Sequence, residues 1–420
     1  MAVPRRAPGG GMSAVGGSAD RTLPPLVDPV SDLSREERER YSRHLLLGAI
    51  GDVGQRRLRA ASVFVVGAGG LGAPVLMYLA AAGVGRITVV DDDEVDLGNL
   101  HRQVIHSVGA VGRPKVDSAR DRLAELAPGV RVDALHTRLD ALNISALLEG
   151  HHLVIDGSDN FATRYLVSDA CEIAGIPLIW GTIDRFRAQL AVFWSRPPEP
   201  ADPVTLRDLY PSPPPPGSVP SCAEAGVVGA LCGTVGSMMA MEAVKLVTGA
   251  GRPLLGRLVL MDLLDSTHRT VTIRPDPSRD PVTQLPDGAD DVSCEVPAPE
   301  IASVPTVTAV ELAQELAEAG HSGALAPVLV DVRGAGERSI ARIDPSVWVP
   351  LDSIAEVAAD PTGVLGRAAA RGPLVLYCKS GVRSARAATT LSGAGFDWVR
   401  SLAGGIEAWT RDVDPSLPGY

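Results

Sequence analysis

The chain is poor in cysteine: five occur in 420 residues, an odd number with no regular spacing. Such a set excludes a disulfide framework and fits a reducing compartment. The N-terminal stretch also lacks the apolar core, about 7 to 15 residues long, that marks a signal peptide. We therefore expect a cytoplasmic protein.

Positive charge is in deficit as well. The net charge is −11 and the isoelectric point lies near 5.3, whereas nucleic acids and anionic membranes favour basic surfaces. The most hydrophobic long stretch, residues 227–247, contains Glu242, Lys245 and many small residues. It predicts a buried helix and not a membrane span, so we expect neither nucleic acid nor membrane as a partner.

The length of the chain exceeds what one ordinary hydrophobic core supports, and 45% of its residues are hydrophobic, which predicts two domains. Capping boxes at Ser34 with Glu37 and at Thr308 with Glu311 mark where each domain begins its first helix. Composition then divides the chain into a disordered tail at residues 1–30, a first domain at 31–275, a Pro- and Asp-rich linker at 276–304 and a second domain at 305–420.

Both domains alternate short apolar strands with helices. In the first domain, strand 63–66, helix 73–82 and strand 87–90 form one βαβ unit. In the second, strand 374–377 precedes helix 384–391. The alternation predicts an α/β fold for each domain, with a mostly parallel sheet covered on both faces.

A glycine-rich turn follows the first strand and opens the next helix. Its glycines are Gly67, Gly69, Gly70 and Gly72, and Asp91 ends the following strand. Glycines let the backbone approach phosphate, the helix N-terminus offers free N–H groups, and the acid accepts ribose hydroxyls. The turn predicts a nucleotide and, taken alone, favours NAD or FAD.

The polar residues downstream favour ATP instead. Asp93, Asn99, Arg102, Gln103 and Lys115 stand where a dehydrogenase more often has an apolar bed for nicotinamide. The planar fork of Arg102 and the point charge of Lys115 suit a triphosphate, and they offset the charge that builds up during adenylyl transfer. The series therefore predicts a triphosphate, ATP, in this site.

A second acidic segment follows strand 153–155. Parallel strands keep ligands at their carboxyl ends, which is where Asp159 and Asn160 stand. Magnesium takes one or two carboxylates together with phosphates, so we expect Asp159 to be its ligand. An aspartate at a strand end is more often a helix cap, and it is the joint order of the motifs that favours the site.

The second domain places a cysteine loop between a strand and a helix. Loop N–H groups and the helix N-terminus stabilise a thiolate or persulfide on Cys378, and we expect Lys379 and Arg383 to add positive charge. A cysteine phosphatase would have a longer loop with room for phosphate. The persulfide loop comprises Cys378, Lys379, Ser380, Gly381, Val382, Arg383 and Ser384.

Taken together, the motifs of the first domain resemble those of the ubiquitin-activating-enzyme-like adenylyltransferases that serve molybdopterin and thiamin biosynthesis. By that resemblance, Asp91 holds ribose, Arg102 and Lys115 hold the phosphates, Asp159 serves magnesium, and Arg43 reaches the ATP site of a neighbouring subunit in a homodimer. The matching segments are Arg40-Tyr41-Ser42-Arg43-His44, the glycine turn, Asp91-x-Asp93, Asn99-Leu100-x-Arg102-Gln103, Arg113-Pro114-Lys115, Asp156-x-x-Asp159-Asn160 and Ser221-Cys222-Ala223-Glu224-Ala225-Gly226.

Two features qualify this resemblance. Many such relatives bind a structural zinc through four cysteines, but here Thr205, Asp208, Asp280 and Thr283 stand in those places, so we predict no zinc. Cys222 matches a family cysteine that links to the carrier or takes part in sulfur transfer. A free cysteine is equally often a small buried hydrophobe, and whether Cys222 reacts stays open.

The second domain resembles single-domain rhodaneses over about residues 305–415, through the persulfide loop and Asp331-Val332-Arg333. An inactive rhodanese-like binding module often lacks the cysteine, so the presence of Cys378 favours catalysis. The expected architecture is thus a Rossmann-like ubiquitin-activating-type adenylation domain followed by a small α/β rhodanese domain.

The predicted function joins the two sites. The first domain adenylylates the C-terminal Gly-Gly carboxylate of a ubiquitin-like sulfur carrier, and Cys378 delivers sulfur to give a thiocarboxylate. A cysteine desulfurase or thiosulfate supplies the sulfur; the donor, the carrier, the number of carriers and the pathway stay open. The alternatives are a flavin- or NAD-dependent persulfide oxidoreductase with a rhodanese appendage, and a non-enzymatic scaffold that docks the carrier.

Overall fold

The computed structural model describes residues 23–214, 226–286, 304–322, 325–360 and 362–419. The chain divides into two compact units, Met1–Cys294 and Glu295–Tyr420. Each unit has its own sheet, of eight strands in the first and five in the second. Cys222 and Cys294 lie outside the described residues.

The first unit alternates strands and helices along most of its length. Its described helices are α1 (Arg35–Arg40), α2 (Ser42–Leu45), α3 (Gly51–Ala60), α4 (Gly72–Ala81), α5 (Lys115–Leu126), α6 (Ile144–Leu148), α7 (Phe161–Ala174), α8 (Leu206–Leu209) and α9 (Gly229–Thr248). Its strands are β1 (Ser62–Val66), β2 (Arg86–Val90), β3 (Arg131–Leu135), β4 (Leu153–Asp156), β5 (Leu178–Asp184), β6 (Arg187–Phe193), β7 (Arg257–Asp262) and β8 (Thr267–Thr272).

The eight strands are ordered β3-β2-β1-β4-β5-β6-β7-β8. The first five strands in this order, β3, β2, β1, β4 and β5, are parallel to one another, as predicted. From β5 onward, each strand is antiparallel to the next. Only a short turn around Arg185 joins β5 to β6, which suffices for an antiparallel pair but not for a parallel crossover. The expectation of a mostly parallel sheet therefore holds for the half of the sheet that carries the glycine turn.

The register of the parallel strands brings their carboxyl ends to one edge. Val66 pairs with Val90 on one side and with Asp156 on the other. The loops that follow β1, β2 and β4 therefore leave the sheet side by side. This is the edge at which open α/β folds bind ligands.

Both predicted limits of the first domain need correction. Leu23 and Val27, expected in a disordered tail, are buried in the core, and the Leu26 N–H donates to the Leu246 carbonyl at 3.0 Å. At the other end, the Val282 N–H donates to Glu172 at 3.0 Å. These apolar and polar contacts hold residues 23–30 and part of the expected linker 276–304 against the first unit, and composition alone did not reveal them.

Helix α9 is the buried helix predicted from the apolar stretch. It is long and apolar enough to cross a membrane by length and composition, yet 56% of its most apolar window is buried inside the protein. Its charged residues form an ion pair, Glu242 with Lys245, and Glu242 also accepts the Leu254 N–H at 2.8 Å. The charges in the apolar stretch thus have specific partners.

The second unit is a parallel sheet ordered β11-β10-β12-β13-β9 with helices on both faces. The capping box at Thr308 and Glu311 is present, with the Thr308 N–H donating to Glu311 at 2.9 Å. The strands are β9 (Thr306–Val307), β10 (Val328–Asp331), β11 (Ser346–Trp348), β12 (Leu374–Tyr377) and β13 (Val399–Leu402). The described helices are α10 (Ala309–Ser322), α11 (Ala335–Ile340), α12 (Ile354–Ala358), α13 (Val364–Ala369), α14 (Val382–Gly393) and α15 (Gly405–Asp412).

Candidate active sites

The glycine turn between β1 and α4 has no room for a side chain at its two ends. A Cβ on Gly72 would lie 1.9 Å from the carbonyl oxygen of Gly67, and Gly67 itself has φ +88°. The Gly67 N–H donates to the Val90 carbonyl at 2.8 Å, which ties the turn to β2. The turn therefore needs glycine at both ends, and α4 starts close beneath it.

Asp91 ends β2 and supports the turn. One of its carboxylate oxygens accepts the Ala68 N–H at 2.7 Å and the other accepts the Asp93 N–H at 2.9 Å. Burial raises the pKa of Asp91 above its ordinary value, although Lys115 and the two backbone N–H groups act in the opposite direction. The carboxylate is fixed at the edge of the sheet, where the sequence analysis expects a ribose contact.

His106 supports the same turn and was missed from the sequence. Its Nε2 lies 3.0 Å from the Ala68 carbonyl and its Nδ1 lies 3.0 Å from Ser118 Oγ. Because a carbonyl only accepts, Nε2 carries the proton and Nδ1 accepts from the serine. Burial lowers the pKa of His106, which keeps the ring neutral. A single histidine outside any motif gave no sequence signal for this contact.

The predicted cations lie beside the turn with polar partners. Lys115 begins α5, and its Nζ lies 2.6 Å from an Asp93 carboxylate oxygen. The Lys115 side chain is only 5% exposed, whereas that of Asp93 is 67% exposed. Arg102 donates to Asn99 Oδ1 at 2.6 Å, and Asn99 thereby orients the guanidinium. Each cation is thus held in place by a polar partner.

The polar residues at the end of β4 and in the segment after it differ in burial and in role. Asn160 caps α7, because its Oδ1 accepts the Thr163 N–H at 2.8 Å. The helix-cap role that the sequence analysis weighed against ligand binding by Asp159 therefore belongs to Asn160. Asp156 is wholly buried, and burial raises its pKa despite the charge of Arg164. Asp159 is exposed, and it is not the residue that caps α7.

These residues meet around one cavity of about 300 Å³ at the carboxyl edge of the sheet. Of the twelve residues predicted to bind the nucleotide, ten line it; Gly72 lies below the turn and Asn99 acts through Arg102. The ten are Gly67, Gly69, Gly70, Asp91, Asp93, Arg102, Gln103, Lys115, Asp159 and Asn160. Arg138 and Arg164 also line the cavity, so it combines backbone N–H groups, four cationic side chains and exposed carboxylates. This is the chemistry of a polyphosphate site.

Fourteen of the residues that line the cavity were absent from the predicted set, Asp92 and Cys232 among them. Asp92 lies between Asp91 and Asp93, and the three carboxylates have oxygens within 4.8 Å of one another. Cys232 lies on α9 with its Sγ 3.0 Å from the position of a Cβ on Gly70. Its approach depends on a helix that is distant in sequence, so no local pattern predicts it.

Arg43 is exposed on α2 and does not line the cavity of its own chain. Its predicted reach into a neighbouring subunit stays a prediction. Cys222 falls on the segment 215–225, outside the described residues.

The positions that correspond to zinc ligands in relatives lie in a network of hydrogen bonds and ion pairs. Asp208 accepts the Thr205 N–H at 2.7 Å and pairs with Arg279 at 3.4 Å. The guanidinium of Arg279 also pairs with Glu172 at 3.0 Å. A cation of the protein thus connects these carboxylates, and the absence of zinc stays a prediction.

The persulfide loop curls around Cys378 directly after β12. Sγ accepts the Gly381 N–H at 3.1 Å and lies 3.5 Å from Ser384 Oγ, which in turn accepts from Ser401 at 2.9 Å. Gly381 has φ +100°, which turns its N–H toward the sulfur. Helix α14 begins at Val382, so the sulfur lies at a helix N-terminus.

The expected positive charge of the loop needs correction. Arg383 forms two hydrogen bonds with Glu337, at 2.8 and 2.7 Å, and Lys379 lies 3.7 Å from Glu407. Each cation therefore has an acidic partner that reduces its effect on the sulfur. Glu337 comes from α11, so the local sequence around Cys378 did not reveal the pairing.

Asp331 and Arg333 form a wholly buried ion pair at 2.7 Å below the loop. Asp331 also accepts from Arg338 at 3.0 Å and from the Tyr377 hydroxyl at 3.1 Å. Tyr377 is the last residue of β12, immediately before Cys378. The pair thus supports the strand that carries the cysteine.

The geometry defines a class: an enzyme with a nucleotide site in an α/β unit and a sulfurtransferase-type cysteine loop in a second unit. The ThiF family model matches residues 41–282, and the rhodanese-like domain model matches residues 309–412. The first match covers more than half of the chain. The chain belongs to the ThiF family, and a rhodanese-like domain follows its ThiF region.

The relatives match different shares of the chain. The chain is 47% identical to the probable adenylyltransferase/sulfurtransferase MoeZ of Mycobacterium tuberculosis, over 95% of this chain and 99% of that protein. It is 51% identical to the sulfur carrier protein adenylyltransferase of Thermus thermophilus, over 58% of this chain and 90% of that protein. The chain is thus an enzyme of the adenylyltransferase and sulfurtransferase class.

A solved structure agrees with the fold of the first unit. The crystal structure of E. coli MccB with ATP matches with a TM-score of 0.51 and 19% identity, over 58% of this chain and 74% of that chain. At this identity the similarity concerns the fold alone.

Proposed function

We propose that the first unit uses MgATP to adenylylate the C-terminal Gly-Gly carboxylate of a ubiquitin-like sulfur carrier. The observation that carries the proposal is the joint presence of Arg102, Lys115 and Asp159 around the cavity of the glycine turn. The similarity to a sulfur carrier protein adenylyltransferase supports the choice of acceptor. The polar lining favours a triphosphate over the flavin or nicotinamide alternative.

The adenylylation step is a displacement at phosphorus. A carrier carboxylate oxygen attacks the α-phosphorus of ATP, the bond to the bridging oxygen breaks, and pyrophosphate leaves with the electron pair. Arg102 and Lys115 orient the phosphates and offset their charge. Asp159 is an exposed carboxylate of the kind that Mg²⁺ prefers, and the ion bound there would neutralise further phosphate charge.

We infer that Cys378 carries the sulfur. Its persulfide attacks the acyl carbon of the adenylate, AMP leaves, and an acyl disulfide joins carrier and Cys378. A thiol then attacks the Cys378 sulfur, so that the carrier departs as a thiocarboxylate and a disulfide remains on the enzyme. Cys222 is our candidate for this thiol, and Arg43 acting across a homodimer completes the proposed ATP site.

Pyrophosphate exchange tests the activation step. The full chain should exchange labelled pyrophosphate into ATP with a carrier ending in Gly-Gly, and not with the same carrier lacking its last glycine. Nucleotide binding without any exchange would refute the adenylylation proposal.

Variants at Cys378 test the division of labour. Cys378→Ser keeps an acceptor for the Gly381 N–H but forms no persulfide, so it should retain pyrophosphate exchange and lose thiocarboxylate formation. Mass spectrometry of the carrier measures the product. Equal loss of both activities in Cys378→Ser and Cys378→Ala would contradict the proposed roles of the two units.

A further inference from the structure

The cations of the persulfide loop are paired with acids. The Arg383 guanidinium donates two hydrogen bonds to Glu337, and the two side chains are 23% and 13% exposed. On the other side of the loop, Lys379 Nζ lies 3.7 Å from Glu407. The four side chains have no net charge between them.

Glu337 is held in its ionised form. Burial acts to raise its pKa, but the hydrogen bonds and charge of Arg383 and the N–H of Gly334 outweigh burial and lower it. Both carboxylate oxygens contact the guanidinium, one at 2.7 Å and one at 2.8 Å. Such a two-point pair fixes the orientation of the arginine as well as reducing its charge.

This pairing affects sulfur donors differently according to their charge. Thiosulfate is a small dianion, and its binding depends on net positive charge near the acceptor sulfur. A persulfide on a thiol carries at most one negative charge. The carboxylate of Glu337 therefore opposes thiosulfate more strongly than it opposes a persulfide.

We propose that Glu337 is a donor-selectivity residue that favours persulfide donors over thiosulfate at Cys378. The proposal deepens the function above, because it rests on persulfide formation at that cysteine. In the favoured reaction, the Cys378 thiolate attacks the terminal sulfur of R–S–SH; the R–S to sulfur bond breaks, R–S⁻ leaves, and Cys378–S–SH forms. With thiosulfate, the same attack releases sulfite with the bonding electron pair.

The test uses the full chain with cyanide as the final acceptor. Glu337→Gln should lower the KM for thiosulfate about tenfold, because one negative charge near a dianion is removed, while kcat stays within about twofold. The KM for the persulfide of 2-mercaptoethanol, whose only charge is that of the persulfide group, should change less than about threefold. Raising the ionic strength should shrink the effect on thiosulfate, a response that a merely structural change would not produce.

Two further variants make the test specific. Glu407→Gln removes the exposed partner of Lys379 and should shift the thiosulfate KM in the same direction by a smaller factor, even if Glu337→Gln folds poorly. Glu315→Gln is the matched control: it takes an equivalent two-point partner from Arg400 elsewhere in this unit and should leave both KM values unchanged.

The outcomes distinguish a failure of the selectivity proposal from a failure of the sulfurtransferase function on which it rests. An unchanged thiosulfate KM in Glu337→Gln and Glu407→Gln, or an equal change for both donors, would overturn the selectivity proposal while sulfur transfer stands. If the wild-type chain and Cys378→Ala are alike in forming no thiocyanate from either donor, the sulfurtransferase function itself fails, and the inference fails with it.

Discussion

An alanine at position 72 should break the nucleotide site. Its Cβ would lie 1.9 Å from the Gly67 carbonyl oxygen and 2.8 Å from its carbon, where ordinary contacts need roughly 3.5 Å. The obstructing atoms are backbone, so no side chain can rotate away and the start of α4 must shift. Overpacking of this kind costs about 1–3 kcal/mol, and we expect Gly72→Ala to reach about 3 kcal/mol because the backbone itself must move.

Two alanine variants provide the scale for this result. Gly69→Ala places its Cβ 3.6 Å from Gln103, an ordinary contact, so its stability should change by less than about 1 kcal/mol. Its methyl group would still occupy the cavity, so ATP affinity should fall at least about tenfold. Gly129→Ala meets no atom within 4 Å and should change neither property.

Urea unfolding followed by circular dichroism measures stability, and titration calorimetry measures ATP binding. If Gly72→Ala unfolds and binds ATP as Gly129→Ala does, the close contact between Gly67 and α4 is wrong. If Gly69→Ala unfolds normally and binds ATP with unchanged affinity, the cavity is not the phosphate site.

Three further predictions concern ionic groups. Lys115→Met should lower pyrophosphate exchange about a hundredfold while changing the free energy of unfolding by less than about 1 kcal/mol, because its partner Asp93 is 67% exposed and regains water. Arg279→Met should lower the free energy of unfolding by about 3 kcal/mol, because it leaves the carboxylates of Glu172 and Asp208, only 5% and 4% exposed, without their cation. Because we predict no zinc at these positions, EDTA should leave the unfolding of the wild type unchanged. Burial acts to raise the pKa of Asp331, but its bonds with Arg333 outweigh burial and hold the pKa below the ordinary 3.8. Its stabilising effect is therefore complete above that value and is lost as the pH falls through the lower folded pKa; the urea midpoint of the second unit should drop more steeply below about pH 4 in the wild type than in Asp331→Asn.

Each of these predictions has an outcome that contradicts it. Normal exchange in Lys115→Met would remove the lysine from the phosphate site. A fall of the wild-type unfolding temperature in EDTA would indicate a bound metal that stabilises the chain. Parallel acid profiles for the wild type and Asp331→Asn would show that other carboxyl groups control the acid stability of the second unit.

Local features of both units could be predicted from the sequence. The strand, glycine turn and helix that carry Gly67 are adjacent in the chain, and apolar spacing and turn residues specify them directly. The capping boxes at Ser34 and Thr308 were found for the same reason, since each spans one helical turn. The alignment of β1, β2 and β4 then follows from parallel pairing, and it brings the predicted cations to the turn.

Contacts between distant segments could not be predicted in this way. Glu337 and Arg383 are 46 residues apart, and Glu172 and Arg279 are 107 apart, so no helical or strand period relates the partners. The hydrogen bond from the Leu26 N–H to the Leu246 carbonyl of α9 is likewise a contact between the two ends of the first unit. These pairings are set by tertiary packing, and they include the contacts that moderate charge at the sulfur loop.

The two sites use the same type of strand-loop-helix segment, but they differ in how exposed the acid is that pairs with the cation. In each, a strand leads through a glycine-containing loop to a helix. An added Cβ on Gly72 would lie 1.9 Å from the Gly67 carbonyl oxygen. At the sulfur site the close contact is with a second loop, because a Cβ on Gly405, the first residue of α15, would lie 2.2 Å from the Lys379 carbonyl oxygen. The nucleotide site places Lys115 opposite an exposed aspartate that a phosphate competes with readily. The sulfur site pairs Arg383 with a carboxylate that is only 13% exposed, so an anion competes poorly there. The first arrangement suits a highly charged substrate, and the second suits a sulfur atom that must be accepted and released without retaining an anion.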